Sequence, residues 1–201
     1  CTNLTAVTLS ENLEHMGGKA FGSCEKITKI EIPKSLEWCD STLYDYGPFG
    51  DCTGLKTVIF ENGTTEISSH LFEKCTGLEE INIPDSVTEI EDSAFSGCVN
   101  LSKVNIPDTV TIIGEYAFDS CTNLTNVTLS KNLEHMEGRA FGNCEKITKI
   151  EIPKSLEWCG STLYDYGPFG DCTGLKTVIF ENGTTKILGH LFEKCTGLEE
   201  I

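Results

Sequence analysis

Basic residues are scarce in this chain, and their scarcity argues against partners that carry negative charge. Fifteen lysines and arginines stand against 31 aspartates and glutamates, which gives a formal net charge of −16. Such a surface repels phosphate backbones and anionic lipid headgroups. The chain also lacks any apolar run near the roughly 20 residues of a membrane-spanning helix. The sequence therefore predicts no nucleic-acid partner and no membrane insertion.

Motifs for catalysis, cofactors and metals are also missing. Zinc sites place Cys or His ligands two to four residues apart, but the eleven cysteines form no C-x-x-C pair. No G-x-x-x-x-G-K phosphate loop occurs. The four histidines are expected on outward positions without an evident acid or nucleophile partner: His15, His70, His135 and His190. We predict no enzymatic activity, no cofactor and no metal site.

A repeat fills the chain instead. Nine cysteines recur at spacings of 23 or 28 residues: Cys1, Cys24, Cys52, Cys75, Cys98, Cys121, Cys144, Cys172 and Cys195. A fixed period of this length is the sequence mark of stacked repeats. A second period lies over the first, because residues 1–81 and 121–201 differ at only nine positions. A 120-residue block is thus duplicated, and residues 120 apart are called twins below.

The pattern inside one unit predicts two extended stretches and a closing turn. Ile81 and Ile83 alternate with polar residues, which is typical of a strand with one buried face, and Pro84 ends that strand. The other inward positions are Val87, Ile90, Ala94, Phe95 and Cys98. A lone unit has no second layer to cover these side chains, whereas stacked units share one continuous core. The sequence predicts a mainly β solenoid of stacked rungs, curved or rod-like, with short helical or 3-10 turns.

The units resemble BspA-like leucine-rich repeats. IPDSVTEIEDSAFSGC at 83–98 and IPDTVTIIGEYAFDSC at 106–121 follow the signature I-P-x-S-V-T-x-I-G-x-x-A-F-x-x-C of that class. The resemblance covers residues 1–201 as eight full units and a partial ninth, interpreted as a single leucine-rich-repeat array. The sequence departs from the class signature in two places. The units that begin at Cys24 and Cys144 are five residues longer than the others, and residues 60–64 do not follow I-P-x-S-V. The resemblance implies a cell-surface or secreted adhesion module for host or neighbour-cell proteins, by analogy of fold alone.

The two ends carry the same apolar pattern as the middle. Solenoids need end caps with a polar outer face, because an uncapped rung exposes apolar side chains and strand edges. We therefore expect the chain to be a fragment of a longer array, and its ends to associate with one another.

The cysteines are predicted to be core residues with free thiols. Equivalent cysteines on neighbouring rungs would lie about 4.8 Å apart, and parallel side chains hold their Cβ atoms wider than the roughly 3.8 Å that disulfides prefer. Cys39 and Cys159 occupy a slot that is isoleucine in other units, so they are also expected to be buried.

The candidate binding residues lie on the second stretch and on the inserted loop. Ile112, His135 and Trp158 hold its outward position on three successive units. The sequence STLYDYGPFGDC follows Trp38 and Trp158 at 41–52 and 161–172, adding Tyr44, Tyr46, Tyr164 and Tyr166. Exposed Trp and Tyr are typical of binding hot spots. In the alternative interpretation the tyrosines fold back and cap the rung.

Three hypotheses for function follow from these features. The first is a non-catalytic module that binds a protein ligand on another cell. The second is a structural spacer that holds another domain away from a surface, and the third is carbohydrate binding by the Trp and Tyr side chains. A spacer predicts no effect of changing Trp38 and Trp158, whereas both binding hypotheses predict a loss.

Overall fold

The computed structural model describes residues 1–36, 38–40, 47–160 and 166–200. Within them lie thirteen short strands: β1 His15–Gly17, β2 Lys29–Ile32, β3 Trp38–Asp40, β4 Thr57–Phe60, β5 Glu66–Ile67, β6 Glu89–Ile90, β7 Lys103–Asn105, β8 Ile112–Ile113, β9 Asn126–Thr128, β10 His135–Glu137, β11 Lys149–Ile152, β12 Trp158–Gly160 and β13 Thr177–Phe180. One unit makes one rung of a solenoid.

All strand pairs are parallel, because each rung returns the chain to the same side one step further along the axis. The first strands of the rungs form three separate two-stranded sheets, β2–β4, β7–β9 and β11–β13. The second strands form the pair β1–β3 and a five-stranded sheet in the order β12-β10-β8-β6-β5. This five-stranded sheet is called the second-strand sheet. The predicted leucine-rich-repeat solenoid is confirmed.

The closing segment of each rung is a ladder of turns, and no helix occurs in the residues that the structure describes. In the rung of Phe95, Ser93 and Gly97 have φ of 54° and 71°, in the left-handed region. A helix cannot continue through such residues. Their N–H groups instead donate along the axis, Ser93 to the Glu115 carbonyl at 2.8 Å and Gly97 to the Asp119 carbonyl at 2.8 Å. Bonding between rungs has replaced the expected helical turns.

The inward positions form a core that runs through the rungs. Val87, Ile90 and Phe95 are fully buried, and Ile81 and Ile83 expose only 8% and 5%. The phenylalanines stack face to face from rung to rung: Phe21, Phe49, Phe72, Phe95, Phe118, Phe141, Phe169 and Phe192. The Phe95 ring centroid lies 5.7 Å from that of Phe72 and 5.2 Å from that of Phe118. The burial predicted from the repeat pattern is confirmed.

Most of the cysteines form a second ladder beside the phenylalanines. Eight are free and buried: Cys24, Cys52, Cys75, Cys98, Cys121, Cys144, Cys172 and Cys195. The Cys98 thiol donates to the Phe72 carbonyl at 3.3 Å, and the same contact recurs at Cys52, Cys75, Cys121, Cys144, Cys172 and Cys195. These hydrogen bonds satisfy the thiols within the apolar core.

Two cysteines differ from the prediction. Cys1 is exposed, and Cys159 is only half-buried. The segment beside Cys159, at 184–188, forms no strand, so it covers the thiol incompletely. The expectation of burial was wrong for both, and the Cys39 side chain lies outside the described residues.

Thiol reactivity should separate these groups. Burial raises the pKa of Cys98 to about 12 and that of Cys52 to about 11, so neither supplies much reactive thiolate near pH 8. We expect one fast thiol from Cys1, a slower one from Cys159, and strong protection of the eight buried thiols in an aromatic-disulfide reagent assay. Unfolding without reductant should release all eleven. A denatured count of nine or fewer would contradict this result.

Candidate functional site

Strand register brings three of the predicted binding residues together. His135 on β10 is the register partner of Ile112 on β8 and of Trp158 on β12. The His135 and Trp158 ring centroids lie 6.3 Å apart with the rings tilted by 49°. Trp158 is 37% exposed, and Ile112 and His135 are half-buried. This set of three residues is called the aromatic edge.

The first copy of the block repeats part of this arrangement. His15 on β1 is the register partner of Trp38 on β3, as their twins are on β10 and β12. The Trp38 side chain lies outside the described residues, and so do Tyr44, Tyr46 and Tyr164. Only the backbone therefore supports an equivalent edge in the first copy.

Tyr166 is the one loop tyrosine that the structure describes, and it packs against the body of the solenoid. Its ring lies 5.3 Å from the Arg139 guanidinium carbon and 5.3 Å from the Lys194 ammonium nitrogen. A cation over an aromatic face is attracted by the ring quadrupole. The half-buried position of Tyr166 matches the capping role that the sequence left open.

Arg139 also joins three rungs. Its Nε donates to Asp119 and its guanidinium NH to Asp171, each at 3.1 Å. The contact with Asp119 is poorly exposed to water, since the Arg139 and Asp119 side chains expose 15% and 14%, whereas Asp171 exposes 31%. Sequence reasoning missed this cluster. Its only signal was that position 139 is one of the nine differences between copies, with Lys19 as the twin.

The sheet that carries the aromatic edge bears negative charge, and the exposed Lys186 approaches it only from the neighbouring rung, near Cys159. Neither lysine nor arginine occurs in the strands of the second-strand sheet or in the residue before each strand. These segments are 65–67, 88–90, 111–113, 134–137 and 157–160. They contain five carboxylates: Glu66, Glu89, Glu134, Glu137 and Glu157. Glu66 and Glu89 are register partners on adjacent strands. Like charges so close destabilise each other unless a cation joins them.

Burial first, and neighbouring carboxylates second, shift the pKa values of two glutamates on this sheet. Burial raises the pKa of Glu89, and Glu91, Glu66 and Asp92 raise it further. Burial also raises the pKa of Glu137, with Asp92, Glu115 and Glu89 adding to it and His135 opposing it. Burial and repulsion by neighbouring carboxylates therefore raise the Glu137 pKa more than His135 lowers it.

The first strands carry a more balanced surface. Lysines alternate with carboxylates and pair with them, as Lys29 does with Glu31 at 2.8 Å and Lys149 with Glu151 at 3.2 Å. A groove of about 620 Å³ lies between β9 and β11, and another of about 460 Å³ lies beside β4. Ile59 and Ile179 stand exposed there at 43% and 40%. This surface has little net charge to select a partner.

One histidine differs from its prediction. His70 Nδ1 lies 2.9 Å from Glu73 Oε2, so the expectation of no acid partner was wrong. The two residues are three apart, and the left-handed φ of 58° at His70 sets the turn that brings them together. In the described parts of the chain, no three His, Cys, Asp or Glu side chains are placed to hold a metal. The described residues include no helix that is long and apolar enough to cross a bilayer.

Stacked parallel rungs with an inward ladder of Phe and Cys side chains define a leucine-rich-repeat solenoid. The family model described as a BspA type leucine rich repeat region matches residues 1–98, 43–167 and 165–201. The chain belongs to this family.

Solved structures of bacterial leucine-rich repeat proteins are similar. That of Treponema pallidum is 25% identical with a TM-score of 0.63, over 81% of this chain and 72% of the other. A Bacteroides ovatus protein is 22% identical with a TM-score of 0.60, over 94% and 63%. A leucine rich cell surface protein of Faecalibacterium prausnitzii is 22% identical with a TM-score of 0.56, over 92% and 62%.

The chain thus spans less than two thirds of the length of the Bacteroides and Faecalibacterium proteins. No curated protein sequence matches it.

Proposed function

We propose that this chain is a non-catalytic protein-interaction module that acts in adhesion, at the cell surface or secreted. Its binding surface is the aromatic edge together with Trp38. The observation that carries the proposal is the exposed Trp158 beside His135 on a sheet whose outer face has no covering layer in the described structure. An exposed indole that is held by a rigid strand has little freedom to lose on binding.

Family and neighbours support the proposed location and class. The family is one of repeat solenoids, whose extended surfaces usually serve for binding. One similar structure is that of a leucine rich cell surface protein.

Two other functions make different predictions. A spacer array has no ligand and needs only its stacked core. A carbohydrate-binding module would use the same indoles, because sugar rings stack on aromatic planes, but it would bind glycans without protein.

Attachment of coated beads tests the proposal. Beads that carry the chain would be applied to epithelial monolayers, to matrix-protein films and to a glycan array. We expect the double variant Trp38→Ala/Trp158→Ala to reduce attachment to protein and cells about 10-fold or more, because such indoles are hot-spot residues. The matched control is Ile59→Thr/Ile179→Thr, which changes exposed twins on the first strands and should leave attachment within about 2-fold.

The outcomes distinguish the three functions. Equal attachment of wild type and the Trp variant would overturn the proposal. Background attachment of the wild-type chain on every surface would favour the spacer, and Trp-dependent binding confined to the glycan array would favour the lectin.

A further inference from the structure

We infer that the second-strand sheet is a docking surface for a cationic segment of a partner protein, rich in lysine and arginine. The inference rests on the proposed function and adds the chemistry of its partner. The surface consists of the aromatic edge and the carboxylates that surround it.

Charge is segregated between the two strand faces of the solenoid. The first strands carry Lys29, Lys103 and Lys149 among their outward residues, and two of these pair with glutamates. The second-strand sheet carries glutamates and, among its described residues, neither lysine nor arginine. A sheet face that keeps five carboxylates without a basic residue among them is complementary to a cation that comes from another molecule.

Two carboxylate residues lie next to the indole along the backbone. Glu157 immediately precedes Trp158 and is exposed. Glu134 is exposed on the neighbouring rung, and its carbonyl accepts the backbone N–H groups of both Glu157 and Trp158, at 2.9 and 3.1 Å. A lysine or arginine over the Trp158 face would gain a cation–π contact and meet these carboxylates at once.

The same chemistry already operates inside this molecule. Tyr166 holds its place between the cationic groups of Arg139 and Lys194, each 5.3 Å from its ring. Arg139 at the same time bonds to Asp119 and Asp171. An aromatic face with nearby carboxylates therefore accommodates a cation in this fold, and the second-strand sheet carries the same residue types at exposed positions.

Duplication extends the surface along the axis. Glu14 and His15 are exposed in the first copy as the twins of Glu134 and His135, and His15 is in register with Trp38. Five rungs at about 4.8 Å place the two edges about 24 Å apart, a span that about seven extended residues cover. Position 137 is Glu in the second copy, whereas its twin is Gly17. Asp40 in turn stands in the first copy where its twin is Gly160, so the two copies carry equal charge at this strand pair.

A peptide titration tests the inference on the whole chain. The probe is a fluorescent 20-residue peptide of lysine, arginine and glycine, measured by anisotropy in about 0.15 M salt, where surface charges are screened beyond about 8 Å. The test variant is Glu134→Gln/Glu137→Gln/Glu157→Gln. Its matched control, Glu25→Gln/Glu79→Gln/Glu145→Gln, removes the same number of charges from exposed positions outside the second-strand sheet.

We expect the test variant to weaken peptide binding about 10-fold or more and the control to change it less than about 2-fold. A Trp38→Phe protein leaves Trp158 as the sole indole, and its emission should change as the peptide binds. Equal weakening by the two triple variants would show attraction to overall charge alone and would overturn the inference. An unchanged Trp158 emission at saturation would overturn it as well.

The bead assay separates this inference from the proposed function. Attachment that is lost in Trp38→Ala/Trp158→Ala but kept in the glutamine triple would leave the interaction module standing and reject a cationic partner. Attachment that survives both changes would reject both proposals. We expect attachment to be lost in both the Trp double variant and the glutamine triple variant, and to be kept in the control triple variant.

Discussion

Replacing Phe95 with Ala is expected to lower the free energy of unfolding by about 3–5 kcal/mol. Phe95 is fully buried, and its ring stacks between those of Phe72 and Phe118 at centroid distances of 5.7 and 5.2 Å. Rungs above and below are tied by backbone hydrogen bonds, such as that from Phe95 N–H to the Ala117 carbonyl at 2.8 Å. They cannot collapse into the space that the ring leaves, so the cavity adds to the lost burial.

A twin pair provides the control for this measurement. Phe141 is fully buried and Phe21, 120 residues earlier, is only partly buried in the same stack. Phe141→Ala should therefore cost as much as Phe95→Ala, and Phe21→Ala clearly less. Urea titrations followed by circular dichroism measure all three. A loss below about 1 kcal/mol for Phe95→Ala would contradict the assignment of the rung core.

Gly54→Ala is the second change with a large expected effect. A Cβ at Gly54 would lie 1.9 Å from the Glu25 carbonyl oxygen of the preceding rung. That atom belongs to the backbone, so the rungs themselves must separate to make room. We expect a loss of about 3 kcal/mol, because the small entropic gain of Ala over Gly in the unfolded chain does not offset this overlap. Thermal and urea unfolding measure the change.

Two other glycines serve as comparisons for Gly54→Ala. Gly174, the twin of Gly54, would place its Cβ 2.0 Å from the Glu145 carbonyl oxygen, so Gly174→Ala should be similarly harmful. A Cβ at Gly17 would meet no described atom within 4 Å, and the twin of Gly17 is already Glu137. Gly17→Ala should change stability by less than about 0.5 kcal/mol. If Gly17→Ala and Gly54→Ala lowered stability equally, overlap between rungs would not be the reason for the loss of stability.

Much of the candidate site could be placed from the pattern alone. Ile112, His135 and Trp158 share one offset from the repeat cysteine, and parallel stacking puts equal offsets side by side. The same logic gives Ile59 and Ile179 equal offsets on the first strands, and both are exposed. It failed for Cys159 and His70, because the cover over the first and the acid partner of the second depend on local backbone geometry that no offset encodes.

Periodicity determined the solenoid, its inward phenylalanines and the neighbours along each ladder, since a fixed spacing with a fixed side-chain direction leaves one way to bury the apolar face. Tertiary structure alone decided the rest. Left-handed residues such as Ser93 turned the expected helical segment into a ladder between rungs. Folding of the loop placed Tyr166 beside two cations, and Arg139 joined Asp119 and Asp171 across the rungs. These contacts join residues 20 or more positions apart, and their energy depends on distances that only the folded chain defines.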